Sequence, residues 1–329
     1  MPDHPVRPDV RRFLDYLNAL PGPRTHEMTP ADARQAYPSA KDLTDLPVGD
    51  LAVVRDLTIP GPAGPIPARL FDAQESRAPK PTVIFYHGGG FVFGDLDTHA
   101  GLCAEVSRAL ALPVVSVEYR LAPEHRWPAA PDDAEAAARW VASSPPELER
   151  RATGLVLMGD SAGGMLTITT AMSLRDRPAA VPVITQAPIY PVADPGGRYH
   201  SFDEFDEGYL LTRKAMIWFG DAYAADLQHM RGSPMLADLA GMPPAVITTA
   251  ALDPLRDQGR AYAAKLIQAG VPVTYREAAG TIHGFATLRK AIPSAVSDVA
   301  GLLVALRAVI SEAEGARVMA QAAGEASVT

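Results

Sequence analysis

LVLMGDSAGG, Leu155 to Gly164, decides how this chain is read. Its first four residues are apolar and end in glycine, as a buried strand does where the chain must turn. A helical run, Ala162 to Leu174, begins at once after the serine. Between strand and helix lies G-x-S-x-G, Gly159 to Gly163. A serine on so sharp a strand-to-helix turn is held in a strained backbone conformation, and the flanking glycines leave room for the turn to expose its hydroxyl. Ser161 therefore reads as a nucleophile. A serine that merely caps the helix would need neither glycine.

A serine hydroxyl is a weak nucleophile. It needs a base, and the base needs an acid to fix its tautomer and stabilise the imidazolium. Where the nucleophile sits on such an elbow, acid and base follow it in the order Ser, Asp or Glu, His, each on a loop after a later strand. AVITTAALDP places Asp253 just past one strand, and VTYREAAGTIHGF places His283 just past the next. His200 and His229 precede Asp253, and the other five histidines precede Ser161, so His283 alone keeps the order. Asp257, one helical turn beyond Asp253 in DPLRD, competes for the acid; its other role is a charge in the first turn of a helix. Asp253 is preferred because it stands nearer the strand end where the three groups must meet.

Upstream, VIFYHGGGFVFGD, Val83 to Asp95, runs a strand into three glycines. Neither phosphate-binding glycine motif fits. G-x-G-x-x-G from Gly88 would need glycine at Phe93, and the P-loop would need Lys then Ser or Thr where Asp95 and Leu96 stand. An oxyanion is the better guest, because attack on an ester carbonyl creates one that preorganised N–H groups must meet. The expected donors are the backbone N–H groups of Gly88 and Gly89 with that of Ala162 after the nucleophile. His87 reads as an anchor for this loop.

Around these motifs, eight β-rich runs begin at Leu51: LAVVRDLTI, IPARLF, TVIFY, VVSVE, LVLMG, PVITQA, AVITTA and VTYRE. Helical segments at 99–110, 131–142, 162–174, 255–269 and 295–310 separate most of the later ones. Strand and helix in alternation predict an α/β fold, a mainly parallel sheet with helices on both faces and its site at the carboxyl ends of the strands. The first fifty residues differ. Val10, Phe13, Leu14, Leu17 and Leu20 recur at helical spacing, and Thr29-Pro30 with Asp32 opens a second helix. The tail after Ser311, rich in Ala, Gly and Glu, is expected to be partly disordered.

Composition bounds the function. Hydrophobic residues at 47% and charged ones at 21% are ordinary globular usage, and no segment approaches the roughly 20 apolar residues that span a bilayer. A net charge of -8 without a basic run excludes a counterion-displacing grip on nucleic acid. Cys103 is the single cysteine, so no intrachain disulfide can form, and MPDHPVRPDVRRF lacks the apolar stretch of a secretion signal. A cytoplasmic protein is expected, without stable membrane insertion, metal or cofactor.

Taken together, HGGGFVFGDLDTH, YRLAPEHRWPAA, GDSAGG, SFDEFDEGYLLT, SPMLADLAGMPPAVITTAALDPLRDQG and HGF span most of the chain. In content, order and spacing they resemble the hormone-sensitive lipase-like carboxylesterases, bacterial family IV, of the α/β-hydrolase fold. The resemblance implies a Ser161, Asp253 and His283 triad, an oxyanion hole of Gly88, Gly89 and Ala162, and a small-molecule ester as substrate. It also implies a helical cap over a core sheet of about eight strands, and it suggests a homodimer. The division expected is residues 1–50 as one part of the cap, 51–193 and 232–329 as the hydrolase core, and 194–231 as the cap insertion. Phe202, Phe205, Tyr209, Trp218 and Phe219 of the insertion are candidates to line an acyl or alcohol pocket. Glu124 in the YRLAPE block reads as structural. Two other functions use the same parts: an amidase or peptidase with this triad, and a noncatalytic receptor that binds a small molecule under its cap.

Overall fold

The computed structural model describes residues 4–326. Three helices come first: α1 (Pro8–Ala19), α2 (Pro30–Ser39) and α3 (Lys41–Thr44). In α2 the Thr29 side chain accepts a hydrogen bond from the Asp32 N–H and Pro30 fills the first turn, as the sequence predicts. Strands β1 (Val53–Gly61), β2 (Gly64–Asp72) and β3 (Lys80–Tyr86) follow, then α4 (Ala100–Leu110), β4 (Val114–Val117), α5 (Ala129–Ala142), β5 (Ala152–Asp160) and α6 (Ala162–Asp176). The chain continues through β6 (Val183–Ile189), α7 (His200–Glu204), α8 (Arg213–Tyr223), β7 (Ala245–Leu252), α9 (Arg256–Gln268), β8 (Val273–Ile282) and α10 (Ala295–Ala326). All eight β-rich runs are strands.

They form one sheet in the order β1-β2-β4-β3-β5-β6-β7-β8. Only β2 runs against the rest, pairing antiparallel with β1 and β4. The burial of successive residues on opposite faces explains why VIFY, Val83 to Tyr86, is apolar or aromatic throughout. Val83 and Phe85 pack with α4, α10 and α1, whereas Ile84 and Tyr86 pack with α5, α6 and α9. From β3 the chain goes outward to β4 and returns across β3 to β5, so the strand order reverses between β3 and β5. Ligand sites in open α/β sheets gather at such a reversal. Tyr86 and Gly159 are register partners there, which brings the loops after the two strands side by side.

The tail after Ser311 is helical as far as it is described. Helix α10 does not stop near Ser311 but runs on to Ala326. Its distal half is rich in Ala and Glu, both strong helix formers, which outweigh Gly315 and Gly324, and an Arg317–Glu314 ion pair lies on one turn.

Candidate active site

Ser161 joins β5 to α6 with φ 54° and ψ -113°, outside the regions ordinary residues adopt. Its N–H donates to the Ile189 carbonyl at 2.9 Å, and its carbonyl accepts from Val192 at 3.2 Å, so neighbouring segments hold the strain in place. The flanking glycines are sterically required. A Cβ at Gly163 would meet the Tyr86 carbonyl oxygen, and one at Gly159 would meet the Gly163 carbonyl.

The structure brings the three residues singled out in the sequence into one hydrogen-bonded line. His283, on the turn after β8, places Nε2 2.9 Å from Ser161 Oγ. Its Nδ1 lies 2.7 Å from Oδ2 of Asp253, the residue after β7. A carboxylate can only accept, so Nδ1 carries the proton and Nε2 is left to accept from the serine hydroxyl. Asp253 is wholly buried and its other oxygen accepts from the Leu255 N–H at 2.8 Å, which fixes the carboxylate plane. Tyr190 packs against the His283 ring with centroids 4.6 Å apart.

Asp257 is occupied elsewhere. It accepts from the Ser201 N–H at 3.0 Å, from Arg256 Nε at 2.8 Å and from Arg260 at 3.1 Å, so it ties α9 to the start of α7. Burial disfavours its charge, but Arg256, the Ser201 N–H and Arg260 together hold its carboxyl below the usual range.

For the glycine loop, one expectation needs correction. The Gly88 N–H is already engaged: it donates to Asp160 Oδ1 at 2.7 Å, with His99 Nε2 3.3 Å away. Gly88 does not line the cavity in front of Ser161, whereas Gly89 and Gly90 do. Neither of their N–H groups donates a hydrogen bond within the described residues. Both have positive φ, 114° and 61°, which turns the loop back toward the serine. The sequence located the loop but could not show which amide faces outward. Ala162 opens α6, where the first N–H groups have no intrahelical acceptor.

Asp160, immediately before the nucleophile, belongs to the site although no motif in the sequence singles it out. Its buried carboxylate also lies 3.1 Å from His99 Nε2 and accepts from the Tyr190 hydroxyl at 3.4 Å. Burial would raise this carboxyl, yet the charge and hydrogen bond of His99 outweigh it and hold it below the usual range. His87 anchors the loop from inside. Its ring stacks on Tyr119 at 4.3 Å, its Nδ1 lies 2.7 Å from the Gly88 carbonyl, and Tyr119 Oη donates to the His87 carbonyl at 2.7 Å. Burial lowers its pKa to about 4, so the ring is neutral.

A cavity of about 760 Å³ opens in front of Ser161 and His283. Its outer walls include Tyr37 of α2, Phe202 of α7 and Phe219 of α8. Of the five candidate aromatics, Phe202 and Phe219 line it. Phe205 is instead buried between His4, Tyr209 and Arg256, and Trp218 packs at the edge of the core. Glu124 accepts from Arg34 at 2.6 and 2.9 Å. That arginine also donates to the Val92 and Ala122 carbonyls, so the pair ties α2 to the glycine loop. Among the described residues, no helix is long and apolar enough to cross a membrane.

An eight-stranded, mainly parallel sheet with a serine on a strained elbow and a later Asp and His beside it defines an α/β-hydrolase, and residues 83–287 match the family model described by that fold. The chain is 39% identical over 277 residues to the esterase LipI of Mycobacterium tuberculosis, covering 82% of this chain and 86% of that protein. With the ethyl acetate hydrolase of Pseudomonas putida it shares 34% over 317 residues, covering 92% and 98%. A solved ester hydrolase from the metagenome of Lake Arreo, complexed with a bipyridine phosphonate derivative, superposes with a TM-score of 0.88 at 36% identity, covering 92% and 98%. The chain belongs to the hormone-sensitive lipase-like, family IV branch of the α/β-hydrolases, a family of carboxylic ester hydrolases.

Proposed function

We propose that this protein is a serine carboxylesterase that cleaves short- to medium-chain acyl esters through an acyl-enzyme. The observation that carries the reading is the line from Asp253 through His283 to Ser161, 2.7 and 2.9 Å, ending at a strained serine on a cavity wall. Ser161 Oγ attacks the ester carbonyl while its proton passes to His283 Nε2, and Asp253 holds the ring and stabilises the imidazolium. The N–H groups of Gly89, Gly90 and Ala162 meet the oxyanion, each contributing roughly 3 kcal/mol to transition-state stabilisation. His283 then protonates the departing alcohol, and water, deprotonated by the same imidazole, releases the acid. A phosphonate has the tetrahedral geometry of this intermediate, so the ligand of the Lake Arreo relative fits the same scheme.

Residues 1–50 and 194–231 act as the cap, with the hydrolase core in 51–193 and 232–329. In support, Tyr37, Phe202 and Phe219 close the far side of the cavity. A pocket has finite depth. Each methylene that fits gains about 0.8 kcal/mol of burial, so efficiency climbs with acyl length until the cap blocks the next carbon. The test is a series of p-nitrophenyl esters of rising acyl length against the protein and its Ser161→Ala variant. Best turnover is expected at roughly two to eight carbons, and none with the variant. Faster cleavage of emulsified long-chain triglyceride than of dissolved butyrate ester would overturn the short-chain reading, and undiminished activity in Ser161→Ala would overturn the mechanism.

A further inference from the structure

Gln258, on the first turn of α9, is fully buried yet forms part of the cavity wall. Its Oε1 is fixed by two backbone donors, the N–H groups of Ala193 at 3.0 Å and Asp194 at 2.8 Å. Those donors settle which end of the amide is oxygen. The other end, Nε2, has no hydrogen-bond partner among the described residues. An unpaired buried NH₂ is costly, and one on a cavity wall calls for a partner that the cavity supplies.

The surroundings indicate what that partner is. The same wall carries Val192, Pro195, Tyr199 and Leu255, so Gln258 is a polar spot in a largely apolar surface. It is also close to the chemistry in bonding terms: Val192 N–H donates to the Ser161 carbonyl at 3.2 Å, and the next residue, Ala193, donates to Gln258. A group with two N–H donors and no acceptor capacity left selects an acceptor oxygen.

We propose that Gln258 is a specificity-determining residue that recognises a second acceptor oxygen on the substrate, remote from the scissile carbonyl. The favoured class is therefore esters carrying a keto, alkoxy or further ester group. This rests on the esterase reading above and goes beyond it. A plain hydrocarbon chain filling the pocket would leave the two donors unpaired, so it is turned over less efficiently than its oxygenated counterpart.

The experiment compares kcat/KM for matched esters: p-nitrophenyl pentanoate with 4-oxopentanoate, p-nitrophenyl hexanoate with 5-oxohexanoate, and butyl acetate with 3-oxobutyl acetate for the alcohol side. In at least one pair the oxo ester is expected to be favoured by about tenfold or more. Gln258→Glu keeps an oxygen for the Ala193 and Asp194 N–H groups and removes both donors, so the preference in that pair falls to unity or reverses. The ratio is read on one protein sample, so a loss of folded protein cancels. Turnover of plain esters with no oxo preference in any pair, or a preference that persists in Gln258→Glu, overturns this inference while leaving the esterase reading intact. Absence of turnover of every ester overturns both.

Discussion

Replacing Gly88 by alanine tests the geometry of the glycine loop at a residue that is not itself expected to touch the substrate. A Cβ at Gly88 would stand 3.0 Å from Asp160 Cγ and 3.1 Å from the Asp160 carbonyl oxygen, and nearer still to Oδ2. Ordinary contact requires the loop to retreat by roughly 1 Å, because the carboxylate is fully buried between His99 and Tyr190 and has nowhere to go. The N–H groups of Gly89 and Gly90 follow Gly88 directly, so they leave their positions with it. A misplacement of about 1 Å in a catalytic site costs on the order of 10²-fold, and complete loss of one oxyanion donor costs about 10²–10³ in kcat. Gly88→Ala is therefore expected to lower kcat on p-nitrophenyl butyrate by about 10²–10³ with KM little changed, since the lost interaction belongs to the transition state. Gly315→Ala on α10 is the control, because open space surrounds that position. Its kcat should match wild type. A Gly88→Ala enzyme with kcat within about threefold of wild type would refute the argument that Asp160 and Gly88 set the oxyanion loop.

Other outcomes follow from the same contacts. Asp253→Asn removes the acceptor that fixes the His283 tautomer and should lower kcat by about 10⁴-fold, whereas Asp257→Asn should keep near-normal rates and lose thermal stability through its bonds to Ser201, Arg256 and Arg260; steady-state kinetics of the two variants separates these roles. His87 supplies an acid-sensitive element. Its pKa of about 4 lies below the value near 6.5 of an unfolded chain, so the unfolded state binds the extra proton first. The stability it contributes is whole above pH ~6.5 and is lost as pH falls toward ~4, about 2 kcal/mol having gone by pH 5. Urea unfolding across this range should therefore show a steeper acid loss in wild type than in His87→Asn, and parallel profiles would contradict a buried neutral ring.

Most of the fold was legible because the strands between layers of helices are continuously apolar and the helices are amphipathic, so strand and helix alternate visibly from β3 to α10. The order of Ser161, Asp253 and His283 was legible for a related reason. Each follows a strand directly, and in a parallel sheet the carboxyl ends of the strands converge. What could not be read depends on contacts between distant residues. Gly88 and Gly90 are identical as letters, and only the Asp160 carboxylate, 72 positions away, decides which N–H is engaged. The carboxylate's position next to the nucleophile was the one sequence signal for it. Phe205 and Phe219 are likewise the same letter in the same segment, yet one is buried under Arg256 and the other faces the cavity. The unpaired nitrogen of Gln258 appears only once the segment that holds its oxygen is in place.

The central claim is that Ser161 is the nucleophile, activated by His283, and it is tested most directly by mass spectrometry after reaction with diethyl p-nitrophenyl phosphate. Attack by the serine displaces p-nitrophenolate and leaves a diethylphosphoryl group on the oxygen. The account predicts loss of esterase activity in step with one adduct per chain, located by peptide mapping on Ser161 and absent from the Ser161→Ala variant. Inactivation with the adduct on any other residue, or with Ser161 unmodified, would contradict it.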